Sequence, residues 1–73
     1  MMPKVRIGDM VRLSFVDCDH SAVRTQDESH ELRKYLQNIG TVVACHSATR
    51  YTIGFTSENI EFECMYYEFE HLV

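Results

Sequence analysis

Residues 39–55 constrain this chain more than any other stretch. Ile39-Gly40-Thr41-Val42-Val43-Ala44-Cys45-His46 is followed, after Ser47-Ala48-Thr49, by Arg50-Tyr51-Thr52-Ile53-Gly54-Phe55. Both runs are rich in β-branched and aromatic residues, and the triplet between them is short enough for a hairpin turn. Strands are expected at 41–46 and 50–56, with Tyr51, Ile53 and Phe55 facing inward. A lone hairpin is marginal in water, so the flanking chain must pack around it.

The flanks supply suitable elements. Residues 9–16 alternate, with Val11, Leu13 and Phe15 on one face and Met10, Arg12 and Ser14 on the other, the pattern of a half-buried strand. Residues 60–66 alternate likewise, with Ile60, Phe62, Cys64 and Tyr66 expected inward and Glu61, Glu63 and Met65 outward. A slip of one residue would bury the glutamates, which fixes the register. Residues 67–73 suggest a tight turn and a last short strand that covers Phe69 and Leu72. Between the first two strands, Thr25-Gln26-Asp27-Glu28 has the form of a capping box. Leu32, Tyr35, Leu36 and Ile39 then follow at helical spacing. Asp27, Glu28 and Glu31 stand early and Arg33 and Lys34 late, as the helix dipole favours. A helix is predicted over 27–37, ended by a left-handed cap near Asn38 or Gly40.

At 73 residues the chain reads as a single domain over 1–73, with 17–38 as a loop–helix insertion. Its longest apolar runs are about four residues, far short of the roughly 20 that a membrane-spanning helix needs. Lys4, Arg6, Asp9 and Arg12 interrupt any export signal. Cys18, Cys45 and Cys64 are odd in number and widely spaced, which argues against a disulfide framework. Cys45 and Cys64 are expected in the core. A cytoplasmic location follows from these features.

The net charge of −4 is uneven. Residues 1–36 are neutral overall, whereas residues 37–73 carry Arg50 against Glu58, Glu61, Glu63, Glu68 and Glu70. Affinity for nucleic acid comes largely from Lys and Arg at phosphates, so this half would repel a duplex and attract a basic partner.

Gly8-Asp9-Met10-Val11-Arg12-Leu13, Gly40-Thr41-Val42-Val43, Tyr51-Thr52-Ile53-Gly54-Phe55 and Phe69-Glu70-His71-Leu72-Val73 together resemble the layout of small SH3-like β-barrels, including the KOW-like and Tudor-like groups. The resemblance implies an α+β, mainly β fold: a strongly bent antiparallel barrel of four or five strands with one helix inserted after the first. The insertion is larger than the loop of the simple barrels. The basic surface of their nucleic-acid-binding members is lacking here. A shared fold would not by itself supply a function.

Several residue groups are candidates for function. Asp17-Cys18-Asp19-His20 gathers potential metal ligands, with Cys45-His46, Cys64 and His71 elsewhere. The spacing does not match the paired ligands of structural zinc, so no metal or other cofactor is expected. Cys18 beside Asp19 and His20 could be an activated thiolate, but no phosphate loop or nucleophile elbow accompanies it, and no enzymatic activity is expected. The remaining signal is a surface. Glu61, Glu63, Met65, Tyr67, Glu68 and Glu70 are expected to form an acidic, aromatic-edged face for a basic protein partner, as in an adaptor, an assembly subunit or an inhibitor. The plain alternative is a solvated outer face. A second functional class is a nucleic-acid-associated barrel that uses Lys4, Arg6, Arg12 and Arg24. A third is a small thiol- or zinc-dependent protein built on Cys18 and His20. An uncovered edge strand would also allow two copies to pair.

Overall fold

The computed structural model describes residues 5–18, 23–55 and 59–72. The fold is mainly β: one antiparallel sheet of five strands in the order β4-β3-β2-β1-β5, with one α-helix. The strands are β1 (Met10–Leu13), β2 (Ile39–Cys45), β3 (Arg50–Phe55), β4 (Ile60–Met65) and β5 (Phe69–Leu72), and α1 is Gln26–Leu32. The sheet is not closed, and β4 and β5 are its edges. Among the described residues, no helix is long and apolar enough to cross a membrane.

The core lies on one face. Val11, Leu13, Val42, Ile53, Phe55 and Cys64 are nearly or fully buried, with Tyr51, Phe62 and Phe69 close behind. All three inward positions expected of β3 are confirmed. Tyr51 meets Phe69 edge-on, with ring centroids 5.6 Å apart.

The capping box forms as the sequence predicts: Glu28 N–H donates to Thr25 Oγ1 at 3.1 Å, and Thr25 N–H donates to Glu28 Oε1 at 2.8 Å. The helix is shorter than expected. It ends at Leu32 and continues as a 3-10 turn, Arg33–Tyr35. The chain then reverses at Gln37, whose φ is 71°. The expected cap residues, Asn38 and Gly40, have other tasks. Gln37 N–H donates to Leu13 O at 2.6 Å and Asn38 O accepts from Leu13 N–H at 3.1 Å, so β1 draws the chain out of the helix. Leu32 is buried and Tyr35 stacks on Phe55 at 4.9 Å, but Leu36 and Ile39 are exposed, contrary to a single four-residue stripe. Gly40 faces the core within β2. A Cβ there would stand 2.7 Å from Ile53 Cγ2 and 2.9 Å from Gly54 O, so glycine is required by close approach.

Three other expectations are corrected. Phe15 is exposed and Val16 is buried instead. Ser14 and Phe15 both donate their N–H groups to Glu68 O, at 2.9 and 3.1 Å, which kinks the chain past Leu13 and breaks the alternation. Tyr66 is exposed because β4 ends at Met65 and a 3-10 turn, Tyr66–Glu68, follows. Cys45 pairs across from buried Tyr51, after a register shift between Val42 and Ala44, yet it is exposed at the last position of β2.

Candidate functional site: the outer edge of the sheet

The six residues expected to form one acidic face are dispersed. Glu61 and Glu63 stand on the outer face of β4, and Glu70 lies on β5 at the opposite end of the strand order. Glu70 is 3.4 Å from Arg12, an exposed pair of the kind that contributes little. Met65 is half-buried, and Tyr67 lies in the 3-10 turn.

Glu68 is the clearest departure, because it is completely buried. The 3-10 turn rotates it inward, where it meets Arg24 in a buried ion pair. Arg24 Nη1 donates to Glu68 Oε1 at 2.8 Å and Nη2 to Oε2 at 2.5 Å, a bidentate arrangement. Arg24 also donates to Ser29 Oγ at 3.1 Å and to Glu63 O at 2.7 Å. Glu68 accepts from Asp17 N–H and Met65 N–H, both at 2.8 Å. The pair thus ties together the loop after β1, the helix, the end of β4 and the last turn. Arg24, expected in the basic set of the nucleic-acid-associated class, therefore has a buried side chain whose charge is engaged by Glu68. Of its companions in the basic set, Lys4 lies outside the described residues, Arg12 is paired with Glu70, and Arg6 is exposed.

The same pair finishes part of the β4 edge. Residues of an antiparallel edge strand alternately point their N–H and C=O toward the neighbour and away from it. Glu63 O and Met65 N–H point away from β3, since Arg24 and Glu68 hold them. By that alternation Glu61 also points its N–H and C=O outward, beside the N–H of Glu63. An open groove of about 460 Å³ runs here, bordered by Val23, Glu28, Glu61, Phe62 and Glu63. Glu63 is 3.4 Å from Arg50 and 3.8 Å from His46, whereas Glu61 has no ion-pair partner among the described residues. The hydrogen bonds from Thr25 hold the Glu28 carboxyl below the usual range, so it carries a negative charge at neutral pH.

A second exposed feature is aromatic. Phe15 and Tyr67 have ring centroids 6.3 Å apart, and Tyr66 meets Tyr67 edge-on at 5.5 Å. Tyr67 donates its hydroxyl to Asp17 Oδ2 at 2.7 Å, and that bond raises its pKa to about 12. The sequence pattern hid this corner because Phe15 and Tyr66 both fall on inward phases of their strands.

Among the described residues, the chemistry-bearing side chains do not converge. Asp19 and His20, part of the proposed ligand cluster, lie outside the described residues, as does Glu58. Among the described residues, no group of three His, Cys, Asp or Glu side chains could hold a metal ion. Burial pushes the Cys64 thiol up to about 12, which keeps it protonated and unreactive. His71 Nε2 lies 2.8 Å from Asp9 Oδ2, and its buried Nδ1 has no partner among the described residues. The pair links β5 to the turn before β1.

Compared with protein families, curated proteins and solved structures, the chain matches none.

Proposed function

We propose that this chain is a non-enzymatic interaction module, an adaptor, assembly subunit or inhibitor, whose acidic β4 side receives a basic polypeptide. One observation carries this reading. Glu61, without an ion-pair partner among the described residues, shares a groove with Glu28 and Glu63, while Arg24, which also borders it, has its charge turned inward onto Glu68. The local field is therefore negative, and complementary charge speeds and orients association.

The architecture is read as a small SH3-like barrel left open between β4 and β5. The strand order and the double pairing of β1, with β2 on one side and β5 on the other, support this reading. The odd, widely spaced cysteines support a cytoplasmic setting.

Anisotropy of a fluorescent lysine-rich peptide tests the function. Binding at low salt that falls on raising salt, and that weakens at least about fivefold in Glu61→Lys, is the expected result. Binding unchanged by Glu61→Lys would refute it. A labelled DNA duplex that binds more tightly than the peptide would instead favour the nucleic-acid class.

A further inference from the structure

We infer that the partner segment is added to β4 as a further strand, by main-chain hydrogen bonding, and that its sequence alternates basic and apolar residues. This rests on the acidic-groove reading above and names how that groove is filled.

The edge strand carries the inference. Its C-terminal half is closed: Arg24 occupies Glu63 O and Glu68 occupies Met65 N–H. Its N-terminal half is open, because Glu61 N–H, Glu61 C=O and Glu63 N–H point away from β3 into the groove. No hydrogen bond outside the sheet ladder engages these three groups among the described residues. Strand addition to such an edge is a general mode of peptide recognition, in which the main chain gives affinity and alternate side chains give specificity.

The side chains that flank the edge set the pattern. Residues directly opposite on paired strands share a face. Partner residues opposite Glu61 and Glu63 would lie on the outer face beside two carboxylates, which calls for Lys or Arg. The residue between them would point to the other face, beside Phe62 and Val23, which calls for an apolar side chain. A second copy of this chain fits poorly. Pairing β4 with itself would set the glutamates of two copies against one another, and like charges directly opposite are destabilising. The closed C-terminal half limits the addition to a short segment.

N-methylation of a synthetic peptide tests this directly. The probe is a fluorescent Lys-Val-Lys-Val-Lys-Val-Lys heptapeptide, its affinity measured by anisotropy at low salt. In antiparallel addition with Lys opposite the glutamates, lysine amides face β4 and valine amides face solvent. N-methylation of the lysine amides is expected to weaken binding at least tenfold, and N-methylation of the valine amides to change it less than about threefold. Equal affinity, or equal loss, in the two methylated peptides overturns strand addition while binding of the parent peptide leaves the acidic-groove reading standing. No binding of the parent peptide overturns both. Sedimentation of the unliganded protein supplies a further check: a dimer abolished by Glu61→Pro would assign the edge to a second copy and overturn the proposed occupant.

Discussion

Arg24 and Glu68, separated by 44 positions in sequence, form a bidentate ion pair whose side chains are 1% and 0% exposed. Desolvating two charges is costly, and the pair offsets that cost because nearly every polar atom it offers has a partner. The pair closes the loop after β1 over the end of β4. Without it, the groove beside Glu61 would lose one wall.

Removal of one partner should therefore be severe. Glu68→Gln leaves a buried guanidinium without its counter-charge, and a loss of about 3–5 kcal/mol is expected. Urea unfolding should show a large fall in midpoint for Glu68→Gln. The double variant Arg24→Met/Glu68→Leu should recover part of the loss. A Glu68→Gln midpoint equal to that of wild type would show that the pair is not buried in solution.

The capping box gives a milder effect with a defined pH sign. Thr25→Ala should cost about 1 kcal/mol. The hydrogen bonds from Thr25 lower the Glu28 pKa, so its contribution is present above the ordinary value of 4.5 and fades as pH falls through the lower folded value. The difference between wild type and Glu28→Ala, followed by circular dichroism, should narrow in that acid range, because the carboxylate accepts from the backbone N–H of Thr25.

The cysteines should separate by reactivity. Cys45 is exposed and should label rapidly with a maleimide at pH 8, whereas buried Cys64 should label only on unfolding. Because burial raises the Cys64 pKa from 9.0 to about 12, its stabilising effect is complete below pH 9 and is lost as pH rises toward 12. Alkaline unfolding should shift to higher pH in Cys64→Ala relative to its own neutral-pH stability.

Gly40→Ala tests the closest contact in the sheet. The added methyl would meet both Ile53 Cγ2 and Gly54 O, at 2.7 and 2.9 Å, and the latter is backbone that cannot swing aside. A destabilisation of about 1–3 kcal/mol is expected from the overpacking. A neutral effect on thermal unfolding would contradict this packing.

The sequence was informative where one local rule decided the outcome. Thr25 and Glu28 specify the helix start, and the alternation of Tyr51, Ile53 and Phe55 specifies the face of β3. It failed where a distant partner decided. Nothing local marks Glu68 as buried, since its environment depends on Arg24 and on the turn that replaces the end of a strand at Tyr66. Phe15 likewise leaves the core because two successive N–H groups, its own and that of Ser14, converge on Glu68 O. The acidic set was therefore legible as charge but not as geometry. Two of its members, Glu61 and Glu63, remain together; the pairing of Glu68 and the position of Glu70 follow from topology that a period-two pattern does not encode.

The central claim is that a basic segment docks at the β4 edge. Amide chemical-shift mapping of the isotope-labelled protein, titrated with the lysine–valine heptapeptide at low salt, tests it most directly. Perturbations concentrated at Glu28, Glu61, Phe62 and Glu63 are expected. Perturbations confined to Phe15, Tyr66 and Tyr67, or to Arg6 and Arg12, would contradict it.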